Sequence, residues 1–364
     1  MEKKRRFKRL TIVFAALTGF SLLAALAAVG VFMHLNSPPP LSNTHIAMPA
    51  NAANTGLGIW SGTQGEYFIE VRRGESAQSV GRRLYEAGLI RSRYFWNIMS
   101  RLSNDFVRAG TYRLEVPLTQ TEIHQVLVSG RQVLIRVTIP EGVTLRRAGI
   151  ILEDAGISSL EDFMQAATDQ TILDFFRIPN SSMEGYLFPD TYLFPANYPA
   201  ASVVRAMAEN FFRRLYEIYP QAQNLSPQEL NDIVILASIV EREHRLAEEA
   251  PIMAGVFSNR LRIGMRLQSC ATVEFVITEI LGRPHPQRIF YRDLEIVSPY
   301  NTYMFSGLPP GPISAPGANA LAAAFNPAPT EYLFFRLVDP ATGRHHFSRT
   351  MAEHARAGQL LVRN

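Results

Sequence analysis

The chain has 364 residues, 47% hydrophobic and 19% charged, which excludes a disordered polymer and leaves room for two or three domains with their own cores. A net charge of +4 points at first to nucleic acid. But the opening MEKKRRFKR carries six Lys or Arg and one Glu, so residues 10–364 sum to −1 and hold no basic stripe for a phosphate backbone; nucleic acid is excluded as a partner.

That basic tail, residues 1–9, precedes Leu10 to Met33, 24 residues without a charge. As a helix the run reaches roughly 36 Å, enough for a bilayer core. A cleaved signal peptide has a shorter apolar region, about 7–15 residues, so residues 10–33 are expected to be an uncleaved transmembrane helix. Basic residues before it and almost none just after place the N-terminus in the cytoplasm and the rest outside. Residues 34–64, rich in Pro, Ser, Asn, Ala and Gly, have no periodicity and are expected to form a linker. The single cysteine, Cys270, excludes an internal disulfide.

Residues 65–160 contain a weak repeat. Phe68 to Ser92 and Arg136 to Ser159 align at an offset of 68 residues, matching Gly74 with Gly142, Leu84 with Leu152, and Ala87-Gly88 with Ala155-Gly156. Each copy reads as a short alternating strand, a glycine turn, an amphipathic helix and a glycine stop. Between the copies, Ala109 to Val116 reads as a strand and TQTEIHQVLVSG as a helix starting near Thr119 or Thr121 and ending at Gly130.

Residues 161–361 read as a mixed α+β domain. SMEGYLFPDTYLFP is aromatic and broken by Gly185, Pro189 and Pro195; a helix is expected from Ala201 to Tyr216. Ser226-Pro227-Gln228-Glu229 has the helix-start order of N-cap, Pro at N1 and Glu at N3, and that helix runs through ILASIVEREHR. A further helix, Ala250 to Arg262, stops at Gly264. Ser298 to Gly317 is too rich in Gly and Pro for regular structure. YLFFRLV, DPATG and HHFS read as strand, turn and strand, and Thr350 with Glu353 caps a last short helix.

Phosphate-loop, serine-hydrolase and zinc-protease motifs are absent. His345, His346 and His354 make a poor metal set, because adjacent residues of a strand face opposite ways; neither a metal nor a cofactor is expected. The carboxylates at the end of ILASIVERE are better candidates. At 100° per residue, the face of Glu241 carries Leu230, Val234, Ala237 and Ser238, whose small side chains leave room for a ligand. Glu243 lies about 200° away, next to Ile239. An apolar setting raises a glutamate from about 4.3 toward the value near 6 that a general acid needs. The plainer alternative is a surface pair of Glu241 with Arg245, worth only about 0.3–0.5 kcal/mol. Tyr186, Tyr192, Tyr300 and Tyr303 offer aromatic faces, and Asp190, Gln268, Asn301 and Thr302 offer hydrogen bonds, a mixture suited to a sugar polymer as well as to core packing.

Four stretches together, MEGYLFPDTY, LASIVERE, VFSNRLRIGMRLQS and SPYNTYMFSGLPPGPISAPG, resemble the endolytic murein transglycosylases, the MltG or YceG-like family. The resemblance spans about residues 65–360. It implies an α+β protein with a LysM-like glycan-binding module at 65–160 and a catalytic domain at 161–361. Both would lie outside the cytoplasmic membrane, and the protein would cut nascent peptidoglycan strands by lytic transglycosylation, ending their extension. Glu241 falls on the family's catalytic glutamate, and Glu184, Tyr186, Asp190, Tyr192, Gln268, Thr272, Tyr300, Asn301, Thr302 and Tyr303 on positions expected to bind glycan. Implied partners are peptidoglycan, the membrane and the peptidoglycan synthases of elongation or division. This chain departs from the family at Cys270-Ala271, where Asp-Pro is usual. A single acid/base suffices for lytic transglycosylation. A muramidase-type hydrolase would need a second carboxylate roughly 5–9.5 Å away, with Glu184 and Asp190 as candidates. A non-catalytic cell-wall scaffold would bind glycan without cutting it.

Overall fold

The computed structural model describes residues 2–39, 58–61, 65–103 and 105–358. Most of the expected linker and the residues after Gly358 lie outside the described residues. The chain forms two compact units, Met1–Leu134 and Ile135–Asn364.

In the first unit, α1 (Glu2–Asn36) is one continuous helix that takes in the basic tail as well as the apolar run. Its segment Leu17–Asn36 has a mean hydropathy of 1.8 and is long and apolar enough to cross a membrane. Strands β1 (Ile59–Ser61) and β2 (Glu66–Val71), helices α2 (Ala77–Glu86) and α3 (Arg93–Leu102), strand β3 (Gly110–Glu115) and helix α4 (Gln120–Ser129) follow. The three strands form an antiparallel sheet in the order β1-β2-β3, with Ile69 opposite both Ile59 and Tyr112. Alternation along β2 sends Ile69 and Val71 inward, where they meet Val80, Leu84, Trp96, Leu114, Ile123 and Leu127. Each such side chain contributes about 1.5–3 kcal/mol on burial. Gly81 is required here, since a Cβ on it would lie 2.1 Å from the Trp96 ring.

The second unit opens with β4 (Leu134–Thr138), which starts at the division and pairs with β5 (Thr191–Pro195). Between them lie α5 (Leu145–Asp154), α6 (Leu160–Ala167) and α7 (Gln170–Phe176). Then come α8 (Ala200–Ile218), α9 (Pro227–Glu243), α10 (Ala250–Arg262), α11 (Cys270–Phe275), α12 (Ala318–Phe325), the antiparallel hairpin β6 (Phe334–Asp339) and β7 (Arg344–Ser348), and α13 (Met351–Ala357). Helix α9 runs through the middle of this unit, packed against α10, α11 and α12. The whole is a mixed α+β fold.

The internal repeat is visible in the backbone. Gly74 and Gly142 have φ of 72° and 73°, and Gly88 and Gly156 have φ of 71° and 70°, left-handed values that favour glycine in both turns of both copies. The copies nevertheless belong to different units. The first module is expected to end at residue 160, whereas the compact units divide at Leu134 and Ile135. The reason is packing: Leu145, Leu152 and Ile157 of the second copy share a core with Phe163, Val204 and Phe211 of α6 and α8. Helices α3, α6, α7, α11 and α12, which the reading passes over, are each ten residues or shorter.

Candidate active site

Helix α9 starts on a reciprocal cap. Ser226 Oγ accepts from Glu229 N–H at 3.3 Å, and the Glu229 carboxylate accepts from Ser226 N–H at 2.8 Å. From Leu230 to Val240 it is apolar apart from Asn231, Asp232 and Ser238, and nearly every side chain is buried. It ends at His244, whose extended backbone stops the helix. Glu241 therefore stands in the last turn, half-buried, where the helix dipole opposes a negative charge.

The room left by the small residues beside Glu241 is filled by the chain itself. Ser238 Oγ accepts from Ile313 N–H at 3.0 Å, Ser314 Oγ donates to Ser238 O at 3.0 Å, and Gly317 N–H donates to Glu241 Oε2 at 2.9 Å. The segment 313–317 thus lies along the face where a ligand was expected and seats Glu241 instead. Among the described residues no ion pair joins Glu241 to Arg245. Burial raises the Glu241 carboxyl above the usual range; the Gly317 N–H, His244 and Arg242 oppose the rise and the Glu141 charge adds to it.

Beside this point opens a cleft of about 900 Å³. Glu241 does not line it directly; its neighbours Gly142 and Arg242 do, and a Cβ on Gly142 would lie 3.7 Å from Glu241 Cγ. Arg242 Nη1 donates to Gly142 O at 2.9 Å and its Nη2 pairs with Glu274 at 2.7 Å, while His285 holds the other Glu274 oxygen. Arg146, Arg147, Arg283, Glu141 and Glu279 complete the polar wall, and Phe275 and Ile150 supply apolar surface. Carboxylates and guanidinium groups over apolar patches can hold a hydroxyl-rich polymer.

The expected glycan-binding residues separate into groups. Glu184 stands at the start of α5, accepting from Leu145 N–H at 2.9 Å. Burial pushes its carboxyl up to about 8; the Leu145 N–H opposes this and Glu279 adds to it. Tyr300 is half-buried and leans on Phe275 of the cleft, ring centroids 5.0 Å apart. Gln268 and Tyr303 line a different cavity of about 360 Å³, together with Glu243 and Cys270. Asp190 and Tyr192 line neither cavity; both are hydrogen-bonded by Asn210 of α8. Desolvation opposes it, yet the bonds from Asn210 and Thr191 N–H and the Arg214 charge hold Asp190 below the usual range.

Tyr186, Thr272, Asn301 and Thr302 are at most 1% exposed, which corrects the expectation that they offer surface to a ligand. Tyr186 donates to Asn231 at 2.9 Å, and Asn301 Nδ2 donates to Leu294 O and Ile296 O. Thr272 and Thr302 hydroxyls meet at 2.9 Å, and Thr302 Oγ1 accepts from Ser269 N–H. All four shape loops from within. At the family's Asp-Pro position, Ala271 lines the cleft while the Cys270 thiol sits 3.2 Å from the Tyr303 hydroxyl in the other cavity.

Sequence reasoning missed Glu141, Arg242, Glu274 and His285. One signal was present: the repeat aligns Glu141 with Arg73, reversing the charge just before the shared glycine.

Residues 69–359 match the sequence profile of the YceG-like family. A Bacillus subtilis (strain 168) protein named endolytic murein transglycosylase is 29% identical over 314 residues, covering 81% of this chain and 84% of that protein. A Streptococcus pneumoniae (strain D39) protein of the same name is 27% identical; the match covers 79% of this chain and 57% of that longer protein. A crystal structure of a yceG-like protein from Listeria monocytogenes, 28% identical, superposes with a TM-score of 0.53 over 80% of this chain and 98% of that one. With a profile match over most of its length and a solved relative of the same fold, the chain belongs to the YceG-like family.

Proposed function

We propose that the chain is a membrane-anchored endolytic murein transglycosylase with Glu241 as its single general acid/base. The observation that carries this reading is the seat of Glu241: the end of a buried helix, one oxygen held by the Gly317 N–H, and a carboxyl raised by burial. A carboxyl raised above its usual range is better suited to donate a proton and to take one back.

In the first step Glu241 protonates the glycosidic oxygen between MurNAc and GlcNAc, and the C1–O bond breaks. The MurNAc C6 hydroxyl then attacks C1, closing a 1,6-anhydro ring, and its proton returns to Glu241. Water is not consumed. Glu184, with its carboxyl near 8, is a poor second base at neutral pH, and Asp190 is occupied by Asn210, Thr191 and Arg214. The two carboxylates expected for a hydrolase are thus ill-suited to that role.

Helix α1 is read as the anchor, with the N-terminus in the cytoplasm and both folded units outside. The first unit is read as the LysM-like glycan-binding module, and peptidoglycan synthases as the partners. These readings rest on the charge asymmetry about α1 and on the family resemblance. The test is strand cleavage: the full-length protein in detergent should shorten uncrosslinked glycan strands, and Glu241→Gln should not. Strand binding without shortening by the wild type would favour the scaffold reading.

A further inference from the structure

The mechanism above leaves three carboxylates of the cleft unused: Glu274 pairs with Arg242 and Glu279 with Arg146, which leaves Glu141. Glu141 precedes Gly142 in the turn between β4 and α5, and it lines the cleft. Its carboxylate lies flat against Gly317: a Cβ on that glycine would fall 2.0 Å from Glu141 Oε1. The same Gly317 gives its N–H to Glu241 Oε2 at 2.9 Å. One glycine therefore seats two carboxylates, one on its amide and one on its bare Cα.

The seat is fixed from three sides. Gly142 N–H donates to Ala315 O at 2.9 Å and Ala315 N–H donates to Val143 O at 2.8 Å, joining the Glu141 turn to the 313–317 segment. Arg242 ties the same turn to α9 through Gly142 O. Its other nitrogen is taken by Glu274, so among the described residues neither Glu141 nor Glu241 is paired with Arg242. The titratable and charged groups facing Glu241 are Arg242 of α9, His244 just after its end and Glu141 from the turn; the 313–317 segment offers only its amide, and Glu274 of α11 acts on Arg242. Burial raises the Glu241 carboxyl, the Glu141 charge adds to that rise, and His244 and Arg242 oppose it.

We propose that Glu141 is the positioning partner of Glu241, its carboxylate set against Gly317 so that its charge faces the Glu241 carboxyl beside the cleft. The proposal rests on the reading of Glu241 as the acid/base. It explains the residue type before the turn glycine, which the first copy of the repeat fills with Arg73.

The test is the pH profile of strand cleavage by the full-length protein in detergent micelles, for wild type, Glu141→Gln, Glu141→Asp and Glu241→Gln. An acid must be protonated to work, so activity falls as pH rises through its titration. Removing the Glu141 charge lowers that titration and moves the alkaline limb to lower pH. For Glu141→Gln the ratio of activity at pH 8 to activity at pH 5 should drop at least about threefold below wild type. Glu141→Asp, which keeps the charge, should restore the limb in part; if the Gln variant does not fold, Glu141→Ser, which also removes the charge, is read by the same ratio. A loss equal at every pH, or a profile identical to wild type, overturns the proposal while an inactive Glu241→Gln leaves the acid/base reading standing. An active Glu241→Gln removes that reading first.

Discussion

Glu241 and Glu243 leave the same helix end, two residues apart, into different surroundings: Glu243 lines the smaller cavity, and Glu241 sits beside the larger cleft without lining it. Glu241 accepts from the backbone of Gly317 beside the large cleft; Glu243 accepts from Ser269 Oγ at 2.5 Å beside Gln268, Cys270 and Tyr303. Both carboxyls are raised by burial, so a raised carboxyl does not by itself mark the acid. What separates them is the space each one meets.

The mutational contrast follows. Glu241→Gln keeps the shape and removes proton transfer, so cleavage should fall by about 10²–10⁴-fold. Its thermal stability should equal or exceed wild type, since a neutral amide relieves the burial penalty. Glu243→Gln should retain most activity, because an amide oxygen still accepts from Ser269. Rates measured on glycan strands, with melting curves for both proteins, check this; an inactive but folded Glu243→Gln beside an active Glu241→Gln would reverse the assignment.

Glu184 makes stability depend on pH. Its carboxyl moves from an ordinary 4.5 to about 8 in the folded chain. For an acid raised in this way, the stabilising contribution is complete below about pH 4.5 and is lost as pH rises toward 8. Glu184→Gln should therefore melt higher than wild type at pH 8, by on the order of 2 kcal/mol given the partial exposure of the group, and the gain should vanish at pH 4. A gain that does not change with pH would show that packing, not ionisation, is responsible.

Gly185 is a steric keystone. Its φ is +82°, and a Cβ there would lie 2.4 Å from Pro312 and 3.3 Å from Val234 of α9. Gly185→Ala should cost about 2–4 kcal/mol through backbone strain and overpacking, read as a lower denaturation midpoint. Gly264→Ala, with a φ of +70° and open space around the new methyl, should cost less.

Much of this architecture was legible because local signals agree with it. The cap at Ser226 and Glu229, the stop at Gly130, the helix Ala250–Arg262 and the hairpin around DPATG all form as local chemistry dictates. The position of Glu241 followed from helical periodicity. The partners around it did not, because they come from far along the chain: Glu141 is 100 residues before Glu241 and Gly317 is 76 after it. Likewise the burial of Tyr186 against Asn231 and of Thr302 against Thr272 is set by tertiary packing, and polar loop residues look the same in sequence whether they face a ligand or hold a loop together.

The most direct measurement is cleavage of uncrosslinked glycan strands by the full-length protein in water enriched in oxygen-18, with the new ends read by mass spectrometry. The account predicts ends one water lighter than a reducing MurNAc end, carrying no heavy oxygen, and their disappearance with Glu241→Gln. Ends of full mass with one oxygen-18 would show hydrolysis, and would contradict a single carboxylate working without water.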